Sequence, residues 1–358
     1  MKQSRRQFLR TTTAATVAGI TATALPQLPE LIRVGIIGLD GHVSEITHAA
    51  KRLSNIRITA VAETKPALVQ RVKTDAAYTN AKLYDDYRKL LDTEKLDVVA
   101  ICGENGGRAE ILTACAERKI PLASEKPLTI SLSELAAVKK VITRNKVPLT
   151  MLLPMRFAPQ YQAMKQLVDS GQIGEVVTIA AQKSYKLGTR PDWMKSHQTY
   201  GGTIPYIGIH MIDLMRYVSS REFVTTAAFQ SNVGFPEIGT MENNTAVIFQ
   251  LDNKGTASLR MDYLRPATAP THGDDRLRVV GTKGIVEFQE GGGVTLLTTN
   301  QKPMKLTDLP AEKFLFVDFL NSLYNHQPHL IKPEEIYRVT EIVLKARAAA
   351  ETGRLVRL

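Results

Sequence analysis

The stretch VGIIGLDGHVSEI, residues 34–46, runs from a β-branched strand pattern through a glycine turn into a helical pattern. A dinucleotide fingerprint has this form: one glycine makes the tight turn, a second lets the backbone approach pyrophosphate, and the helix N-terminus faces the phosphates. Gly38 fills the first place, Asp40 the second and Val43 the third. A carboxylate facing pyrophosphate is repulsive. Either the loop takes another path, through Gly41, or cofactor binding is weakened here. Glu63, 25 residues after Gly38, ends the next strand pattern. It is placed to accept hydrogen bonds from an adenosine ribose and, by repelling a 2′-phosphate, favours NAD over NADP.

Outward from that stretch, residues 32 to about 152 alternate β-branched runs (IRVGIIG, IRITAVAE, LDVVAIC, IPLASE) with helical ones (SEITHAAKRL, KPALVQRV, AEILTACAER). Such alternation predicts parallel strands joined by right-handed helical crossovers, a doubly wound sheet. Ser131-x-x-Glu134 reads as a capping box opening the next helix. After Met155 the pattern changes to one helix (PQYQAMKQLVDSG), another around His210, and longer strands (TAVIFQL, GTASLRMDYL, RLRVVG, GIVEFQ), some separated by turns such as Asp252–Gly255. This predicts a second, α+β domain with an open, mostly antiparallel sheet. EEIYRVTEIVLKARAAAETG reads as one amphipathic helix stopped by Gly353. The expected class is α/β, with segments at 1–24, 31–152 and 153–358.

The first segment carries its own address. SRRQFLR, residues 4–10, sits in a basic region of Lys2, Arg5, Arg6 and Arg10. A mildly apolar run to Ala24 follows, ending in Ala22-Thr23-Ala24. That layout resembles a twin-arginine signal peptide, and the run is too short and threonine-rich for a comfortable bilayer span. The expectation is a protein exported by the twin-arginine machinery to the periplasm, which holds no nucleotide pool, and therefore folded around its cofactor beforehand, with no stable membrane span after processing. The formal charge of +11 includes those four basic residues, which leaves +7 for the rest. It is spread without the basic runs of nucleic-acid readers. Cys102 and Cys115 are the only cysteines, so no disulfide framework or cysteine-based zinc site is expected. His42, His48, His326 and His329 show no metal-ligand spacing, and no metal site is expected.

Two further stretches carry chemistry. ASEKPL, residues 123–128, ends a later strand, where an open α/β sheet presents groups to a ligand. GGTIPYIGIHMIDL, residues 201–214, places Tyr206 and His210 at helical spacing with Asp213 near His210. Together with MRFAPQY, SGQIGEV, RPDW, GTKGIVEF and VLKARAAAETGR, these motifs resemble the Gfo/Idh/MocA oxidoreductases over nearly the whole chain after the signal. The resemblance implies an N-terminal Rossmann domain, a C-terminal α/β domain whose open sheet serves homo-oligomer contacts, and an active site between them. It implies cofactor contacts from Gly38, Asp40, Gly41, Glu63, Asn105, Glu125 and Lys126. Lys126 would contact the substrate hydroxyl and the nicotinamide, and His210 would support acid–base transfer. The alternative for His210 is a core histidine bonded to Asp213.

Departures from the family pattern matter equally. Tyr206 stands where the family commonly has an aspartate. A neighbouring Lys126 ammonium would lower its phenol and make it an acid–base group; otherwise Tyr206 is a pocket wall that bonds a sugar. Glu104 adds a second carboxylate near the cofactor. Arg156, Tyr185, Arg190, Trp193, His197 and Asp213 are candidate substrate contacts, with Trp193 either a platform for a pyranose or a core anchor. His272 and Asp274 are a candidate rim. Three functions follow: an NAD-dependent oxidoreductase for a sugar, polyol or glycoside; redox-assisted glycoside cleavage through a keto intermediate; or a sugar-binding family member without turnover.

Overall fold

The computed structural model describes residues 28–358; the expected export signal, residues 1–24, lies outside them. The first domain runs β1 (Ile32–Ile37), α1 (Ser44–Arg52), β2 (Ile56–Ala62), α2 (Pro66–Thr74), β3 (Lys82–Tyr84), α3 (Tyr87–Thr93), β4 (Val98–Ile101), α4 (Arg108–Glu117), β5 (Leu122–Ser124), α5 (Leu132–Asn145) and β6 (Leu149–Met151). All six strands are parallel, in the order β3-β2-β1-β4-β5-β6. With helices covering both faces, the central strands are apolar throughout, and Ile32, Val34 and Ile36 of β1 and all of β4 are fully buried. The order reverses between β1 and β4, so the loops after these strands form the crevice in which such sheets bind ligands. The box at Ser131 forms with a shift: Glu134 N–H donates to Ser131 Oγ, while the Glu134 carboxylate accepts from Ile130 N–H.

The second domain contains α6 (Pro159–Asp169), β7 (Val176–Lys186), α7 (His197–Tyr200), α8 (Ile209–Ser219), β8 (Phe223–Ser231), β9 (Asn244–Leu251), β10 (Thr256–Arg265), β11 (Gly273–Gly281), β12 (Gly284–Gln289), β13 (Gly293–Thr298) and β14 (Gln301–Lys305). The chain ends with α9 (Leu315–Tyr324), α10 (Pro333–Thr352) and β15 (Val356–Arg357). Nine strands form one sheet in the order β14-β13-β12-β11-β7-β10-β9-β8-β15. It is antiparallel except where β7 runs parallel to β10. β7 and β8 were not among the strands read from the sequence. In β7, Gln182, Lys183 and Ser184 interrupt the apolar pattern, and Lys183 lines a cleft rather than a core. One sheet face packs on α6, α8 and α10. The opposite face leaves Phe229, Ile248 and Leu264 exposed.

Two long-range devices lock the domains together. Asn105, after β4, donates to the Tyr200 carbonyl at 2.6 Å, and Gly106 N–H donates to the Thr199 carbonyl at 2.8 Å. Arg347 of α10 donates to the carbonyls of Ile130 and Gly201. No helix among the described residues is long and apolar enough to cross a membrane.

Candidate active site

The fingerprint loop follows the glycine path. Gly38 has φ +74°, and a Cβ there would overlap the Gly103 backbone, so the β1 and β4 loops meet closely only with glycine at 38. Gly41 has φ +65°, and its missing Cβ makes room for the Glu125 carboxylate. No side chain caps the first turn of α1, but Glu45 and Ile46 N–H turn back to the His42 and Val43 carbonyls, so Val43 and Ser44 N–H are what that helix end offers a phosphate. Glu63 Oε2 accepts from Leu39 N–H at 3.1 Å, and Oε1 from Thr64 and Lys65 N–H. The carboxylate is thus fixed between the first two loops, where a ribose would lie.

Asp40 is answered from a distance. Lys65 Nζ lies 2.7 Å from Asp40 Oδ2 and 3.0 Å from Glu104 Oε1. Burial works against the Lys65 charge, but its bonds to Asp40 and Glu104 outweigh it and raise the ammonium above its ordinary value. Both carboxylates that looked repulsive in the sequence share this one cation. The residues of the crevice therefore fit a dinucleotide. Lys65→Ala should raise the Kd for NAD about tenfold, roughly 1.4 kcal/mol, because two bare carboxylates would face the pyrophosphate. An unchanged Kd in calorimetric titration would place the phosphates away from Asp40.

Glu125 and Lys126 follow β5. Glu125 accepts from the His42 and Lys126 N–H groups, and its oxygens lie 2.9 and 3.1 Å from His42 Nδ1. Burial opposes its charge, yet His42, Lys126 and Arg108 prevail and hold the carboxyl at about 2. Lys126 is 3% exposed. Burial, aided by Arg108, Lys183 and Arg190, overcomes the pull of Glu125 and lowers its ammonium to about 7.

Tyr206 lies in a π-helical turn, Ile204–Gly208, that leads into α8. Such widened turns recur at functional sites. Lys126 Nζ donates to the Tyr206 carbonyl at 2.8 Å and sits 3.5 Å from the centre of the Tyr206 ring. The expected lowering of the phenol does not occur: burial and Glu125 raise it to about 12, because the ammonium meets the ring face. His210 is buried, its Nδ1 has no protein partner, and burial together with Lys126 and His42 pushes its imidazole well below the ordinary value. The alternative bond to Asp213 is not made.

A cleft of about 310 Å³ opens beside His210, lined by His42, Lys183, Tyr185, Asp275 and Glu290 among others. Lys183 and Asp275 face each other across β7 and β11, and their side chains pair at 2.7 Å. Burial opposes the Lys183 charge, but Tyr185 and Asp275 raise it overall. Lys183, Asp275, Glu290, Lys65 and His42 were not read as site residues. A strand alternation marks the face a side chain takes, but not the partner it meets there.

Several expected substrate contacts, and the expected cofactor contact Asn105, are placed elsewhere. Arg156 and Asp213 form a buried bidentate pair, both bonds 2.6 Å, which leaves neither free for substrate. His197 does not line the cleft and lies 2.7 Å from Glu242. Both ends of the Asn105 amide are occupied, by Arg108 and the Tyr200 carbonyl. Trp193 is 9% exposed, its ring 5.8 Å from that of Tyr206, with Nε1 buried and unpartnered; it packs edge-on against Tyr206 as a core anchor. Arg190 lies over the Tyr263 ring. Tyr185 lines the cleft and stacks on His272, whereas Asp274 pairs with Arg276 and Arg265. Among the described residues no cluster of three or more His, Cys, Asp or Glu is placed to hold a metal ion.

A dinucleotide crevice facing a buried lysine amine near neutrality defines an oxidoreductase that uses a nicotinamide cofactor on CH–OH groups. Residues 32–152 match the family model described as oxidoreductase family, NAD-binding Rossmann fold, and residues 161–287 match the GFO/IDH/MocA C-terminal domain. The chain belongs to the Gfo/Idh/MocA oxidoreductase family. It is 27% identical over 318 residues to the uncharacterized oxidoreductase YrbE of Bacillus subtilis, covering 87% of this chain and 86% of that one. It is 25% identical over 280 residues to the inositol 2-dehydrogenase of Rhizobium meliloti, covering 77% and 78%. A solved structure from Thermotoga maritima superposes with a TM-score of 0.85 at 33% identity, covering 91% of this chain and 100% of that one.

Proposed function

We propose that this chain transfers hydride between NAD and a secondary hydroxyl or keto group of a sugar, polyol or glycoside in the cleft between its domains. The observation that carries this reading is the buried Lys126 amine, lowered to about 7, next to Glu125, whose carboxylate accepts from the His42 N–H of the fingerprint loop, with His210 held well below its ordinary value. Gly38, Gly41, Glu63 and the open end of α1 would hold the cofactor, with Lys65 balancing Asp40 and Glu104. Bound there, the nicotinamide supplies the hydride chemistry. Lys126 takes the hydroxyl proton during oxidation and returns it during reduction. His210, with an unpartnered Nδ1, orients the reacting oxygen. Tyr206, backed by Trp193, offers an apolar wall for a sugar ring, while Lys183 and Asp275 meet its hydroxyls.

The sequence SRRQFLR supports export in the folded state to the periplasm. Without a nucleotide pool there, the cofactor would be retained, reduced by one substrate and reoxidised by another. The exposed Phe229, Ile248 and Leu264 support a homo-oligomer formed through the open sheet. The test is to denature mature periplasmic protein and measure released nicotinamide, then to follow NADH formation with sugars, polyols and an aryl glycoside. About one nicotinamide per chain and a keto product are expected. Release of the aryl alcohol would favour redox-assisted cleavage, and sugar binding without nicotinamide would refute the enzyme reading.

A further inference from the structure

We propose that His42 relays the reaction's proton between the buried Lys126–His210 centre and solvent. The inference rests on the dehydrogenase reading above. Oxidation of CH–OH to C=O would send two electrons and one proton, as hydride, to a nicotinamide held by the fingerprint loop. The hydroxyl proton passes to the Lys126 amine as the C–O bond becomes a double bond. Lys126 then carries that proton in a place where it is 3% exposed and its neighbour His210 5% exposed, and it must lose it before another oxidation.

His42 is the imidazole that connects this centre to the outside. Its ring meets that of His210 edge to face, with centroids 5.0 Å apart, and both rings line the cleft. Its side chain is 28% exposed, against 2% for Glu125. Nδ1 is held by the two Glu125 oxygens, which fixes the ring, while Nε2 makes no hydrogen bond to a described residue. The ring can therefore take a proton at Nε2 and release the same proton to water from that nitrogen, with Glu125 remaining a carboxylate. Electrostatically, His42 faces Glu125 after β5, Glu45 in the first turn of α1 and His210 in α8. Lys126 and Lys183 add positive charge, and Asp275 and Glu290 line the same cleft. Tyr206 does not compete for the role, since its phenol sits at about 12.

The test uses the full holoenzyme. His42→Asn keeps an amide donor toward Glu125 but removes the base. Its kcat for alcohol oxidation should fall about tenfold or more, at the lower end of acid–base effects. The lost rate should return as imidazole buffer is raised, and the solvent deuterium isotope effect on kcat should grow. Melting temperature should stay near the wild type, and the rates are compared at saturating NAD because His42 belongs to the fingerprint loop. His42→Ala, which opens space for imidazole, should respond more strongly and serves if the asparagine variant folds poorly. A kcat equal to the wild type in either variant, or a lowered kcat that ignores imidazole with an unchanged isotope effect, overturns the relay. A wild type that forms no NADH from any alcohol overturns the dehydrogenase reading itself, and the relay with it.

Discussion

Lys126→Ala should lower kcat about 100-fold or more while the melting temperature and the affinity for NAD hold. Loss of a positioned acid–base group commonly costs that much. Removing this side chain ends the burial of an amine already lowered to about 7, and Glu125 keeps His42 and Arg108 as partners, so the fold has little to lose. The wild-type pH profile carries the same signature. Oxidation needs the free amine, so its rate should rise with pH through about 7 and level off above. Reduction needs the ammonium, so its rate should fall over the same range. His210 is held well below its ordinary value and stays neutral throughout. Tyr206→Phe should leave the limb near 7 in place and change mainly KM, because a phenol at about 12 does not titrate there. A Lys126→Ala enzyme with full turnover, or a Tyr206→Phe enzyme whose limb moves, would transfer the acid–base role from the lysine to the tyrosine.

The parts legible in the sequence were those set by local chemistry. Gly38 marked its turn because only glycine takes that φ against the Gly103 backbone, and the β-branched runs before and after it marked parallel strands. The EKP triplet at a strand end placed Lys126, and helical spacing put Tyr206 and His210 in one segment. What stayed hidden were the partners of charges. Asp40 looked repulsive because Lys65 lies 25 residues further on, beyond another strand, and only the sheet order brings the two loops together. Lys183 and Asp275 are 92 residues apart and become a pair through the register of β7 and β11. Of the two roles open to Tyr206, the acid–base one needed a lowered phenol, and the phenol is raised instead. An ammonium lowers a phenol when it faces the oxygen, and here it faces the ring.

Asp213→Ala should cost about 3–5 kcal/mol of stability, the usual result of leaving one member of a buried ion pair alone. Arg156 is 1% exposed and Asp213 1% exposed, so neither charge can be hydrated when its partner is lost. Burial disfavours the guanidinium, and Asp213 followed by Glu335 keeps it charged and raised above its ordinary value. Glu335, at 3.0 Å and with its side chain 32% exposed, would be the remaining partner. The three residues tie the turn after β6 to α8 and α10, which sets the helix that carries His210. Arg156→Met combined with Asp213→Leu should recover much of the loss, since replacing both charges by apolar groups removes the unpaired ion. Urea unfolding of the two single variants and the double variant measures this cycle. If Asp213→Ala instead unfolds at the wild-type urea concentration and only KM rises, the two residues are the substrate contacts expected of each from the sequence and no strut behind the site.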